Sequence, residues 1–271
     1  MHTTTEALVL RSVDYRESDK ILTLLTREQG KLTASARGSR KRGSPIAAGC
    51  QLLCWSEMVL FDYQGRWSVK EAATQRQFRG VRDDLDKLAL ACYFAEVTEL
   101  LAVEGMPSPE LLSLILNSLH ALDRLDKPLP LVKAAFELKA MCLAGYEPLL
   151  DGCPVCGSSP PREPRFHLRD GVLHCAQCRD GVGEGISMPL NAQALGAMEH
   201  IVYGDPKRLF SFAAAGEGLG QLSGAAEAYL HTQLERGFRT LDFYKEMQGT
   251  TPISGGAEGR GIGECDHRAG L

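Results

Sequence analysis

Four cysteines near the middle of this chain constrain its fold more than any other feature. Cys153 and Cys156 stand in CPVC and Cys175 and Cys178 in CAQC, giving C-x2-C, eighteen residues, C-x2-C. A C-x2-C turn brings two thiolates to one side of a tight loop. Two such turns supply the four corners of a closed tetrahedral zinc site. Zinc held this way folds a small module and keeps no open position for chemistry, which points away from an enzyme. Pro154 stiffens the first turn, and Gly152 and Gly157 flank it. Between the knuckles, FHLRDGVLHC predicts two short strands around Arg169-Asp170-Gly171. Residues 151–182 therefore read as a zinc ribbon, with Zn2+ in a structural role.

Three other uses of paired cysteines fit less well. A thioredoxin-like pair needs one C-x-x-C beside a βαβ unit, and no such unit is legible. Disulfides need an oxidising compartment, whereas the start MHTTTEALVLRSVDYRES lacks the apolar core of an export signal. A zinc deaminase would carry an upstream H-x-E, which is absent. His167 and His174 could each replace a thiolate, but with four cysteines at hand they are expected as strand residues. Cys50, Cys54, Cys92 and Cys142 are expected to be buried free thiols. Cys265 and His267 fall in a glycine-rich tail and are not expected to bind anything.

Charge is unevenly spread. The first 80 residues carry 13 Lys and Arg against 8 Asp and Glu, and the remainder 17 against 26, within totals of 30 and 34. A basic amino-terminal part on an acidic body suggests a polyanionic partner at one end. No apolar run reaches membrane-spanning length, so no membrane partner is expected. A reducing, cytoplasmic setting is expected.

The chain divides by hydrophobic period. Residues 6–75 suggest about five strands with glycine-containing turns: EALVLRSV, KILTLLTR, KLTASARG, QLLCWSEMVLFDY and RWSVKEAAT. That is the count of a small Greek-key barrel such as the OB-fold. Residues 20–27 are apolar enough to leave a helical reading open. From 80 onward a helical period takes over, with breaks at Pro107-Ser108-Pro109 and at Pro128 and Pro130, and three helices expected to pack antiparallel. After the cysteine segment, helices are expected over 191–202 and 221–240. The organisation is thus α+β. An OB-fold barrel covers 1–79, a helical domain covers 80–248 with the zinc-binding insert at 151–182, and a disordered tail covers 249–271. Asp83, Asp84 and Asp86 look like a metal cluster, but acids in a helix's first turn are accounted for by the dipole.

The most telling basic stretch is a loop. Lys31 to Ser56 contains no acid and five bases, Lys31, Arg37, Arg40, Lys41 and Arg42, centred on ARGSRKRGS. Glycines let backbone approach a phosphate chain, and arginine binds phosphate in a bidentate way. On a barrel face such a loop makes a groove for single-stranded nucleic acid. Trp55, Phe61, Tyr63 and Trp67 follow, and both tryptophans are expected in the barrel core. No phosphate-binding, zinc-protease or serine-hydrolase motif occurs, and no carboxylate pair reads as catalytic.

The stretches ALVLRSVDYRESDKILTLLTREQGKL and ARGSR, the junction FELKAMCLAGYEPLLDGCPVCG and the knuckle CAQC, in that order, resemble the bacterial recombination mediator family RecO over about 6–247. The segment GSPIAAGCQLLCW departs from the family's pattern. The resemblance implies an OB-fold, a helical domain and a zinc-binding insert. It implies non-enzymatic DNA repair and recombination in the nucleoid. The implied activities are binding single- and double-stranded DNA, annealing complementary strands and loading RecA onto coated DNA. The implied partners are RecR, in some cases RecF, and the acidic tail of single-strand-binding protein. It carries DNA contact onto Lys31, Arg37, Arg40, Lys41 and Arg42, and zinc ligation onto Cys153, Cys156, Cys175 and Cys178. The acidic tail would need a cationic, apolar pocket on the helical body, for which Arg124, Lys127, Lys133 and Lys139 are candidates. Two other readings compete: a zinc-ribbon protein that contacts RNA or a polymerase, and a metal-dependent nuclease.

Overall fold

The structure is a computed structural model that describes residues 2–249. The expected tail, with Cys265 and His267, lies outside the described residues. Strands β1 (His2–Tyr15), β2 (Asp19–Thr26), β3 (Gly30–Ala36), β4 (Trp55–Tyr63) and β5 (Arg66–Arg76) close a barrel in the order β1-β2-β3-β5-β4. β1 pairs with β4 through its first half and with β2 from Ala7 onward. It makes this turn at a register shift between Val9 and Arg11. A short parallel pairing, Ala34 to Trp67 and Ser35 to Ser68, completes the circle.

The barrel interior is filled by Ala7, Val9, Leu22, Leu24, Leu32, Met58 and Leu60. The alternate positions Leu8, Leu10, Leu25 and Trp55 are buried as well, on the outside, in the core of the helical body. That is why β1 and β2 read as continuous apolar runs instead of alternating. It also settles residues 20–27 as strand. The segment QLLC, expected to begin a strand, is a set of turns instead, with Leu53 in the left-handed region at φ 59°. These turns send Ile46 and Cys50 into the barrel core.

Helix α1 (Arg79–Arg82) leads into α2 (Leu85–Leu101), α3 (Pro109–Arg124) and α4 (Leu129–Leu143). Asp84 caps α2 by accepting from the Lys87 N–H at 3.1 Å, so the acidic cluster is structural. Pro109 occupies the first turn of α3. α4 is buried from Leu131 through Leu138, the pattern of a central helix. Phe136 on α4 stacks on Phe94 of α2 with ring centroids 4.1 Å apart. The cysteine module follows as β6 (Pro164–His167), β7 (Val172–Cys175) and β8 (Ser187–Pro189), in the order β7-β6-β8. The hairpin falls at the expected turn, and β8 is a third strand that the sequence did not suggest. Helices α5 (Ala192–Tyr203), α6 (Gly216–Leu234) and α7 (Arg239–Met247) complete the chain.

Two expectations are overturned here. The single helix over 221–240 is two helices, because Glu235 adopts φ 49° and turns the chain. Phe238 then precedes α7 instead of continuing the face of α6. Lys133 is 3% exposed, so it cannot line a pocket for an acidic tail.

The barrel is seated on the helices by backbone. Gly30 has φ +65°, and a Cβ there would lie 2.0 Å from the Met106 carbonyl oxygen. Next to it, the Lys31 carbonyl accepts from the Gly105 N–H at 3.0 Å.

Candidate metal centre and nucleic-acid groove

The cysteine site is built by two turns and a strand end. The Cys153–Gly157 turn is closed by the Gly157 N–H donating to the Cys153 carbonyl at 2.9 Å. Cys175 ends β7, and Cys178 follows in a 3-10 turn over Ala176–Gly181. The four sulfurs lie within 4.8 Å of one another. Those of Cys156 and Cys175 are 3.7 Å apart. Four thiolates around one zinc, at about 2.3 Å each, sit about 3.8 Å from each other by tetrahedral geometry. The spacing therefore suits a metal ion.

The surroundings suit thiolates too. Arg162 donates its N–H to the Cys175 sulfur at 3.1 Å, and the Cys175 N–H points at Cys153 at 3.5 Å. Burial works against ionising Cys153, but the N–H groups of Cys175, Cys156 and Val155 outweigh it and bring the thiol down to about 6. Cys178 is pushed up to about 12, first by its hydrogen bond to Cys156 and then by burial. One thiolate is welcome and a full set is not, unless a cation neutralises them. By contrast, burial pushes Cys50 up to about 12 and Cys142 up to about 11, as inert core thiols. Neither histidine joins the sulfurs. His167 pairs with Asp170 at 3.0 Å. His174 spans from the Cys175 carbonyl to the Ser187 hydroxyl, both at 2.8 Å, and ties β7 to β8.

The second feature is a groove of about 980 Å³ on the barrel, where β3 and β5 run side by side. Lys31, Arg37, Arg66 and Lys70 line it, with Phe61, Tyr63 and Trp67 between them. Tyr63 is 62% exposed, and the Lys70 ammonium lies 5.1 Å from the Phe61 ring centroid. Arg37, Arg66 and Lys70 make no ion pair among the described residues. Two acids, Glu28 and Glu104, also line the groove, and Glu28 accepts a hydrogen bond from Thr5.

Residues 1–78 match the family description Recombination protein O N terminal, and residues 82–242 match Recombination protein O C terminal. The chain belongs to the RecO family. The DNA repair protein RecO of Acetivibrio thermocellus is 32% identical over 245 residues, 90% of this chain and 96% of its own length. That of Symbiobacterium thermophilum is 33% identical over 247 residues, with shares of 90% and 96%. That of Myxococcus xanthus is 37% identical over 187 residues, with shares of 68% and 76%. No helix among the described residues is long and apolar enough to cross a membrane.

Within this RecO-family fold, the five bases singled out from sequence separate. Lys31 and Arg37 line the groove. The Lys31 ammonium also donates to the Glu99 carbonyl of α2 at 2.7 Å. Arg40 folds back on the β1–β2 turn, pairing with Asp14 at 3.1 Å and donating to the Arg16 carbonyl at 3.2 Å. Lys41 and Arg42 are exposed on the loop and do not line the groove. Asp19 anchors the loop by accepting from the Gly38 N–H at 2.8 Å. That bond, opposed by partial burial and aided by Arg16 and Arg37, keeps its carboxyl below the usual range. The tryptophans also differ. Trp55 is buried at 8% exposure, but outside the barrel, in the core of the helical body, whereas Trp67 is half-buried in the groove wall and packs against the barrel core. Arg66 and Lys70 were missed. Their only sequence signal is two bases flanking Trp67 on one strand, at a distance from the basic loop.

Proposed function

We propose that this chain is a non-enzymatic mediator of DNA repair and recombination that binds single- and double-stranded DNA along the barrel groove. The observation that carries this reading is the convergence of four cations and three aromatic rings on one barrel face. Cations hold phosphates, and exposed rings stack on bases for about 1–3 kcal/mol each. Lys31 and Arg37 contact the strand in the groove, together with Arg66 and Lys70. Arg40, Lys41 and Arg42 extend the contact along the loop. Annealing follows from the same charges: two polyanions approach when their phosphates are neutralised, and no bond is made or broken. Cys153, Cys156, Cys175 and Cys178 would hold Zn2+, which would brace the helical body.

The partners we assign are RecR, RecF in some settings, and RecA indirectly, in the nucleoid. We assign the acidic tail of single-strand-binding protein to a cleft of about 350 Å³ lined by Lys139 and Lys207 beside Leu114, Leu143 and Leu209; Glu110 lines it too, and the Lys139 ammonium donates to the Val202 carbonyl at 3.1 Å. Of the four bases considered for that tail, Lys139 alone lines this cleft. Lys127 donates to the Phe212 carbonyl, and Arg124 pairs with Asp123. The test is strand annealing in the presence of EDTA. The wild type should anneal, and Arg37→Glu/Arg66→Glu should fail. Cleavage that requires Mg2+ would point to a nuclease, and binding restricted to structured RNA would favour a zinc-ribbon RNA reader.

A further inference from the structure

The barrel groove shares a wall residue with a second cleft, at the junction with the helical body. Lys31, which lines the groove, also lines this cleft of about 730 Å³ between β1, α2 and the elbow that joins α6 to α7. Arg11, Arg236 and Arg239 line this cleft too. Its two carboxylates are already engaged. Glu99 pairs with Arg11 at 3.1 Å, and Glu96 accepts from the N–H and hydroxyl of Thr240 at 3.2 and 2.5 Å. Arg236 and Arg239 are exposed and make no ion pair among the described residues. The Ser12 hydroxyl in the same lining is buried and has no hydrogen-bond partner among the described residues.

The elbow is fixed in shape. Glu235 holds φ 49°, a conformation that side chains adopt only when the surroundings impose it. What imposes it is visible on both sides. The Arg236 carbonyl pairs with His231 Nδ1 at 2.9 Å. Phe238 is fully buried, edge-on to Tyr93 with ring centroids 5.5 Å apart. The Arg236 guanidinium lies 5.4 Å from the Phe238 ring centroid. A strained turn thus holds two guanidiniums without carboxylate partners at a cleft that shares Lys31 with the groove.

We propose that Arg236 and Arg239 form a second phosphate-contact site, which carries a bound DNA strand from the barrel groove past Lys31 onto the helical body. The inference rests on the groove being the nucleic-acid site. Continuity through Lys31 favours a polynucleotide over an acidic peptide, because a strand lying in the groove delivers its next phosphates to the cleft. Guanidinium forks match phosphate oxygens in pairs.

The test titrates an oligothymidylate of about 25 nucleotides against salt for four proteins: wild type, Arg37→Ala/Arg66→Ala, Arg236→Ala/Arg239→Ala and Arg236→Lys/Arg239→Lys. Thermal melting of each confirms the fold. Losing two phosphate contacts lowers the slope of log affinity on log salt by about 1.4 and weakens binding on the order of tenfold or more in low salt. The expected result is that loss in both alanine variants, with most affinity regained in the lysine variant. Unchanged affinity and slope in Arg236→Ala/Arg239→Ala, beside a loss in Arg37→Ala/Arg66→Ala, overturns this inference and leaves the groove reading intact. It is overturned equally if the elbow variant loses only affinity for polyglutamate, which would assign the cleft to an acidic peptide. If wild type ignores the oligomer, both fail.

Discussion

The barrel and the helical body treat charge in opposite ways. On the barrel, Arg37, Arg66 and Lys70 point into an open groove and make no ion pair among the described residues. In the helical body, Lys133 is sealed between Glu137 at 3.0 Å and Glu227 at 2.7 Å. Glu227 also takes Lys245, and Glu137 accepts from the Tyr93 hydroxyl at 2.8 Å. One set is available to a partner. The other spends its charge internally, joining α2, α4, α6 and α7. The same residue types therefore stand open to solvent in one region and provide cohesion in the other, and burial decides which.

The sharpest way to break this comparison is in the cysteine module, which has little apolar core of its own. Cys175→Ser should release the metal and unfold 151–189, since a structural zinc contributes folding free energy directly. Metal analysis and limited proteolysis would check this, and a metal-free wild type that melts normally would contradict it. Next in size, Lys133→Ala leaves Glu137 buried without its cation and Glu227 with Lys245 alone, and should cost about 3–5 kcal/mol in denaturant unfolding. Oligonucleotide affinity of the surviving fold should be unchanged. Gly30→Ala should cost about 1–3 kcal/mol through its left-handed φ, and more if the Met106 carbonyl cannot retreat.

A smaller effect concerns pH. Burial, with Glu227 close by, raises Glu137 to about 7. Between its ordinary value of 4.5 and about 7, Glu137 is protonated in the fold and ionised in the unfolded chain. Its contribution is complete below 4.5 and is lost as pH rises through about 7. Glu227 is shifted the other way, against its burial, by Lys133 and Lys245, so its contribution fades only below 4.5. The two windows do not overlap. Stability should therefore fall as pH rises from 5 to 7, by up to about 1.4 kcal/mol per unit. Glu137→Gln should flatten that slope in urea unfolding curves.

What was legible in the sequence follows the range of the forces involved. The cysteine knuckles could be read because ligand spacing is a local property, and the four sulfurs do converge. The five strands could be read because turns and strand patterns are local as well. The double burial of β1 and β2 was not, since it depends on helices about 80 residues away packing against Leu8 and Leu25. Lys133 looked like any solvated helix base because its partner Glu227 is on a distant helix. The break at Glu235 was hidden by Leu230, Leu234 and Phe238, which continue a helical period across it. The groove was half-legible: Lys31 and Arg37 belong to the basic loop, whereas Arg66 and Lys70 join them only through the β3–β5 pairing.

The central claim is that the groove cations without ion pairs among the described residues, Arg37, Arg66 and Lys70, bind DNA phosphates and contribute little to the fold. The measurement closest to it is the affinity of wild type and Arg37→Glu/Arg66→Glu for an unpaired oligonucleotide across a salt series, with melting temperature read on the same samples. Wild type should bind with a steep salt dependence and little sequence preference, and the variant should lose that binding while melting within about 0.5 kcal/mol of wild type. A wild type that leaves the oligonucleotide free at low salt, or a variant that binds as well as wild type, would contradict the account.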